Sequence, residues 1–533
     1  MKSTHIPSEI TYSFFWKNLE KFSGSELSLI ERFLLPQHRS STIFPIYLNH
    51  STATLRFLSY WLKKHDTKVL IKFTARDILG NSVGTDFWTI LRYQSMGFRA
   101  DNFDYFKSSN EGFCGSIEVE VFSELKPLYT FPAISLVYQN LKGCAVVHSC
   151  VRTYNRQESI TDYALNFPQT GFDLFLSDDC RNYICFFGGR KSRYELTLIL
   201  GQGSEQRKAS VQLDNVRMGQ LHLLYVEDLF DEIRHADNLK LSIIHDLDVF
   251  PRFYAGIVKI SFVPTLTHSF FDTSENNFAF ESPFLNLRSK NENPEGNFDC
   301  ALMLPVYPND KYKTSLKTYS QNLTHHSEIY VTAYSDSGQI LIQDKLDSKA
   351  ASRFNLTSSF DILELLKSNR LFASKRYSLH IGFANNSKKP FPKRFKLALN
   401  VCRQGAELGS NICFAPLVLD ETTLAKPFNR RWFPIGGKER FVASIHNTSI
   451  LRNRSGGATS ISCEFFNISG DLLVREMCLT ENSSLYLDTD SDNELSAFFR
   501  GETGWCLVNS KSYHCDSYYF ATSGSLIGGD HAY

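Results

Sequence analysis

Three histidines occupy comparable places late in three of four similar stretches of the chain: His148 in AVVHSC, His268 in TLTHSF and His531 in GGDHAY. An imidazole at a recurring position can ligate a metal, move a proton or tie strands together by hydrogen bonds. A metal needs three or four ligand atoms within about 2 Å of one point. Histidines carried one per repeat would lie a domain width apart unless the repeats closed into a ring. A local grouping is simpler: His531 beside Asp530, joined by His514 and Asp516 of the preceding strand. His514 and His531 are 17 residues apart, a spacing that neighbouring antiparallel strands can bring together. The candidate catalytic residues are therefore His531, Asp530 and His514, and the candidate metal ligands are His514, Asp516 and His531. A divalent metal is the cofactor that reading requires; otherwise none is expected. The pattern is not a recognised motif such as H-E-x-x-H, and the default role of His148 and His268 is structural.

Other chemistry-bearing features read more plainly. Gly188-Gly189-Arg190 and Gly436-Gly437-Lys438 could let backbone amides approach an anion, and Gly528-Gly529 precedes Asp530. None follows a strand and opens a helix, so neither a Walker loop nor a dinucleotide fingerprint is present, and β-turns are the expectation. Glu118 and Glu120 in SIEVEVF share one face of a strand, with Ile117, Val119 and Val121 on the other. A solvated sheet face is expected there. No G-x-S-x-G elbow and no cysteine nucleophile signature occurs. Exposed aromatic rings can stack on sugars, and Trp505, Tyr518 and Tyr519 are the candidate binding residues. The basic runs, such as Arg430-Arg431, are too short for a nucleic-acid groove.

The elements that must position these residues come from an internal repeat. Four segments read as strand, Gly-containing turn, strand: Val69–Asn81, Glu195–Glu205, Glu328–Gln343 and Ser460–Glu476. Their turn glycines, Gly80, Gly203, Gly338 and Gly470, are 123, 135 and 132 residues apart. Gly, Asp, Asn and Ser suit hairpin turns because they tolerate positive φ or bond their own backbone. An acidic-apolar step follows each hairpin (Asp104, Asp228, Asp361 and Asp488), then a further strand at Ser116, Leu239, Arg376 and Leu495. Phe131-Pro132, Phe250-Pro251 and Phe391-Pro392 come next and predict turns into edge strands, since proline cannot donate to a ladder. His148, His268 and His531 lie 68, 65 and 61 residues after their turn glycines, and Cys402 lies 64 after the third.

Short strands with frequent turn signals predict an all-β chain of four tandem β-sandwich modules, immunoglobulin-like or jelly-roll-like. The expected divisions are a helical segment at 1–42 and modules at 43–165, 166–278, 279–424 and 425–533. Leu27, Ile30, Phe33 and Leu34 share one helical face, packed against the first module and ended by Pro36. A second short helix is expected over Phe360–Lys367. Thr273–Asn277 and Lys290–Gly296 read as linkers between modules, and Lys388–Lys393 as a connector inside the third.

The 533 residues include 57 Lys+Arg against 56 Asp+Glu, a formal charge of +1. That balance argues against nucleic acid and anionic membrane as partners. No window reaches the roughly 18 apolar residues of a membrane helix, and residues 1–7 lack the apolar core of a secretory signal. A soluble, cytoplasmic protein with 12 reduced cysteines is expected. Cys180 with Cys185, or Cys506 with Cys515, would bridge only in an exported chain. The sequons, beginning at Asn49, carry no weight in the cytoplasm. The function expected is non-catalytic binding of a glycan or protein partner through module-end loops. The alternative is a metal- or His/Asp-dependent enzyme, glycan-active, with its site in the C-terminal module.

Overall fold

The computed structural model describes residues 12–22, 26–27, 38–108, 112–124, 131–155, 158, 167–201, 206–230, 240–250, 252–260, 262–271, 279–280, 298–307, 311–319, 327–345, 359–371, 376–385, 391–392, 396–406, 408–414, 417–418, 430–447, 458–510 and 515–533. The chain is mostly β, built of several antiparallel sheets, and one strand order occurs four times along it. In the first quarter eight strands follow in order: His38–Leu48, Thr52–Leu58, Val69–Asp77, Ser82–Ile90, Ser95–Arg99, Gly112–Ser123, Ser135–Asn140 and Gly143–His148. They pair as first–sixth–third–fourth and fifth–second–seventh–eighth.

The second quarter repeats this with Gln169–Thr170, Cys180–Phe187, Arg193–Leu200, Arg207–Asp214, Leu221–Tyr225, Leu241–His245, Tyr254–Lys259 and Thr267–His268. The third uses Cys300–Val306, Tyr312–Thr318, Ser327–Ser335, Ile340–Lys345, Ser359–Asp361, Tyr377–Asn385, Leu397–Arg403 and Gly409–Phe414. The fourth uses Arg430–Gly436, Arg440–Asn447, Thr459–Phe466, Leu472–Leu479, Ser484–Asp488, Thr503–Ser510, Cys515–Ser523 and Leu526–His531.

The hairpins expected from the repeat are the third and fourth strands of each quarter. Three of the four turn glycines take the left-handed conformation, with φ of +83° at Gly80, +86° at Gly338 and +87° at Gly470, where any side chain is strained. Gly203 lies outside the described residues. The fourth strands are outer edges, and in Arg207–Asp214 exposed charged and polar residues alternate with half-buried ones, which blunts an edge against further pairing. Between the two sheets the inward residues form the cores, as with Ile184, Phe186, Leu196, Leu198 and Ile243 in the second quarter.

Several expectations are corrected. The acidic-apolar steps open or fall within short helices between the fifth and sixth strands: Asp104–Ser108 and Val226–Leu229, which were not expected, and Ile362–Ser368, where the short helix over Phe360–Lys367 was expected. The fourth such helix is Asn493–Phe499, so Leu495 begins no strand. Asp492 caps it by accepting from the Leu495 amide at 3.0 Å, and the capped turn overrides the apolar run that reads as a strand. The Phe-Pro steps do not lead into edge strands: Ser135–Asn140 and Tyr254–Lys259 each have a neighbour on both sides. The expected helix after Leu27 and the linkers at 273–277 and 290–296 lie outside the described residues. A helix at Tyr12–Lys17 precedes that segment, and Phe15, Trp16 and Leu19 pack with Leu27 against Leu70 and Phe122 of the first quarter.

Glu118 and Glu120 do not face water; they are 5% and 7% exposed. Glu118 Oε2 accepts from Arg76 at 3.1 and 2.5 Å, and its Oε1 accepts from the Thr153 hydroxyl at 2.6 Å and from Arg39 at 3.3 Å. Arg39 also donates to Glu120 and Glu158, both at 2.7 Å. The segment around Thr153, which runs on from the first quarter, covers this face. The strand pattern shows which residues share a face but not what lies over it. None of the twelve cysteines is in a disulfide, and among the described residues no helix is long and apolar enough to cross a membrane.

Candidate functional site

The four eighth strands meet. Leu526–His531 packs on Gly143–His148 and on Gly409–Phe414, and Thr267–His268 contacts both of the latter two. The strands thus close a cycle around one axis. The first and fourth quarters share a single eight-stranded sheet, joined by a parallel contact between Leu526 and Gly143. Lys142 O accepts there from the Ser525 and Leu526 amides at 2.9 and 3.2 Å. Glycine permits the approach: a Cβ on Gly143 would sit 2.3 Å from Leu526 Cβ, and one on Gly528 would sit 3.0 Å from Ala145 Cα. The Gly528-Gly529 step is therefore a strand contact rather than a turn.

Equivalent backbone bonds fix the register at the axis. The amides of Ser149, Ser269 and Ala532 donate to Ile134, Phe253 and Ser517 at 2.7, 2.8 and 2.8 Å. The residue before each is His148, His268 and His531; in the third quarter Phe414 pairs with Leu397, which makes Cys413 the equivalent. Cys402 lies on the seventh strand, not the closing one, and is corrected accordingly.

The ring of His148 lies 4.6 Å from that of His268 and 4.7 Å from that of His531, inclined at 84° and 60°. Asp530 Oδ2 accepts from His148 Nδ1 and from the His148 amide, both at 2.8 Å. Its Oδ1 accepts from the His531 amide at 2.8 Å. One ligand-capable atom from each of His148, Asp530 and His531 lies within 4.8 Å of the others. His268 Nδ1 lies 2.7 Å from Ser269 O, and His531 Nδ1 lies 2.9 Å from Ala532 O. A carbonyl only accepts, so the proton of each ring is on Nδ1 and the lone pair on Nε2.

Burial, then the neighbouring His148, lowers the pKa of His268 well below 6.5 and that of His531 in the same direction. Both rings are therefore neutral near pH 7. Burial alone would raise the Asp530 carboxyl, but His148, in charge and hydrogen bond, outweighs it and the pKa is lowered.

This cluster floors a pocket of about 460 Å³, walled by Phe131, Phe250, Phe270, Phe271, Phe414 and Tyr518 and edged by Arg252 and Arg431. Arg252 lies 3.7 Å over the Phe271 ring, a cation–π contact that holds the guanidinium at the wall. Arg431 pairs with Asp516 at 3.1 Å. The buried Lys396 ammonium donates to Gly171 O and His268 O at 2.6 and 2.7 Å, which fastens the closing strand of the second quarter to the third.

The expected site residues divide. His531, Asp530, Asp516 and Tyr518 are at the pocket or its floor. His514 lies outside the described residues. Trp505 and Tyr519 are fully buried, and the Tyr519 hydroxyl lies 3.3 Å from Ser135 Oγ. Neither presents a face to a ligand. The Gly188-Gly189-Arg190 step does cradle an anion, but it is the chain's own: Asp248 accepts from the Arg190 and Lys191 amides at 3.0 and 3.1 Å. Sequence reasoning missed Arg252, Phe271 and Phe414. It noted Phe131 and Phe250 only as turn markers, although their rings meet at 5.7 Å.

No protein-family profile matches the chain, and no curated protein matches it. Among solved structures, a marsupial T cell receptor is similar at 8% identity over 74% of this chain and 94% of that chain, with a TM-score of 0.09.

Proposed function

We propose that the chain is a non-catalytic binding protein of four β-sandwich modules closed into a ring, and that its axial pocket takes the terminal sugar of a glycan. The observation that carries the reading is the convergence of one closing strand from each quarter on a single pocket. About 460 Å³ falls within the usual range for small-ligand sites. Aromatic walls with a few polar groups suit a sugar ring, which stacks its apolar face while its hydroxyls bond to Arg252 or an imidazole. Binding to a glycan array by the wild-type protein and by Phe271→Ala tests it. A set of bound glycans sharing one terminal sugar, lost in the variant, is expected. A pattern untouched by Phe271→Ala and Arg252→Gln overturns the pocket assignment. A blank array, with a protein partner whose binding the same variants abolish, replaces the glycan by a protein.

A second reading, a His/Asp-dependent enzyme, is favoured by one observation: buried Asp530 orients His148 through a 2.8 Å bond to Nδ1, as a carboxylate orients a general base. Turnover of an array-identified glycan, abolished in Asp530→Asn, would establish it in place of simple binding.

A further inference from the structure

We propose that the pocket floor is a zinc-class divalent metal site in which His148, His268 and His531 ligate through Nε2 and Asp530 orients His148 from the outer shell. The inference rests on the axial pocket being the functional site and adds the class of group it holds.

The first argument is tautomeric. Each imidazole has its Nδ1–H committed to an oxygen: Asp530 Oδ2 at 2.8 Å, Ser269 O at 2.7 Å and Ala532 O at 2.9 Å. Histidine ligands commonly give their second nitrogen to a carboxylate or carbonyl in this way, which fixes the ring and makes the other nitrogen the donor atom. Three rings from three quarters of the chain share the arrangement.

The second argument is the unmet acceptor. His268 is 4% exposed and its Nε2 is buried with no hydrogen-bond partner. Leaving a buried acceptor bare costs about 1–3 kcal/mol. His148 stands beside it at 4.6 Å, and His531 lies 4.7 Å from His148, both with the lone pair on Nε2, so one divalent cation drawn between the rings would occupy the bare acceptor together with two more.

The third argument is spacing. Nitrogens bound tetrahedrally at about 2.0–2.1 Å lie roughly 3.3 Å apart. His148 stands close to both other rings, with centroids at 4.6 and 4.7 Å, and one ligand-capable atom each of His148, Asp530 and His531 already lies within 4.8 Å of the others; the His268 ring must turn toward them to complete the set. Cys413, at the fourth equivalent position, is engaged by the Lys396 ammonium instead. Three protein ligands with a fourth position turned to a pocket is the pattern of zinc sites that accept an exogenous group.

The test uses the full chain, stripped with a chelator and then titrated with Co²⁺ or Zn²⁺ alone. One ion per chain is expected, with the ligand-field bands of a four-coordinate cobalt ion and no thiolate charge-transfer band. His268→Gln and His531→Gln should weaken binding at least about 100-fold, and the outer-shell Asp530→Asn about 10–100-fold at unchanged stoichiometry. No stoichiometric ion, or affinity indifferent to His268→Gln, overturns the site. If a histidine variant does not fold, zinc-edge absorption on the wild type decides: three imidazoles support the assignment, and fewer, or any sulfur ligand, refute it. Glycan binding that survives the chelator but is lost in Phe271→Ala would remove the metal and leave the pocket reading standing. One ion bound as expected, with glycan binding indifferent to Phe271→Ala, would do the reverse.

Discussion

Replacing Glu118 by Gln isolates the buried charge cluster, because the substitution keeps the side-chain shape and removes one charge. Burial alone would raise the Glu118 pKa, but Arg76, Arg39 and the Thr153 hydroxyl outweigh it and lower it from 4.5 to about 2. At about 1.4 kcal/mol per pH unit, that shift makes the ionised carboxylate worth about 3 kcal/mol at pH 7. The usual cost of removing one partner from a buried ion pair, about 3–5 kcal/mol, agrees in size. The unfolded chain takes up this proton near pH 4.5 and the folded chain only near pH 2. The contribution is thus complete above about pH 5 and is lost as pH falls through that window. Urea unfolding at pH 7 should show Glu118→Gln about 3 kcal/mol less stable in the transition that reports the first quarter. By pH 3 the gap should narrow to roughly 1.5 kcal/mol. A gap below about 1 kcal/mol at pH 7, or one unchanged at pH 3, would refute the claim that Arg39 and Arg76 hold this carboxylate ionised.

Ring closure and thiol burial give two further predictions. Gly143→Val places side-chain atoms where Leu526 already stands, 2.3 Å from the added Cβ. Overpacking of this kind costs about 1–3 kcal/mol, and hydrogen exchange at the Ser525 and Leu526 amides should accelerate as the parallel contact opens; unchanged exchange would show that the contact does not close the ring. Cys478 is the one exposed thiol of twelve, while burial raises the Cys114 thiol to about 12 and raises that of Cys402. Native alkylation followed by peptide mass mapping should modify Cys478 first and alone, and rapid labelling of Cys413 or Cys506 would contradict the packing around them.

Much of the architecture was legible because it is local. A hairpin declares itself by β-branched and aromatic runs around a turn that needs positive φ, and Gly80, Gly338 and Gly470 satisfy that need. The recurrence of the pattern, and of His148, His268 and His531 behind it, is equally a property of the string. The Asn493–Phe499 helix was misread because a stretch as short as Leu495–Arg500, with four apolar residues in six, fits a strand as well as a helical turn, and the Asp492 cap decides between them. Glu118 and Glu120 were misread because alternation specifies a face and not its cover. Trp505 and Tyr519 look exposed among polar neighbours, yet their strands turn them inward.

The candidate site itself belongs to the tertiary structure. The sequence by itself determined four similar strand sets, each closing on a residue that is histidine in three of them. It also carried the one condition on which those histidines could meet, a closed ring. Whether the ring closes depends on contacts between residues far apart in the chain: Gly143 against Leu526, Gly528 against Ala145, and the Lys396 ammonium on the His268 carbonyl. Each is a matter of backbone approach and of an acceptor finding its donor between strand sets far apart in the chain, and no local propensity encodes either. That closure brings the imidazoles of His268 and His531 within 5 Å of His148 and places Asp530 against His148.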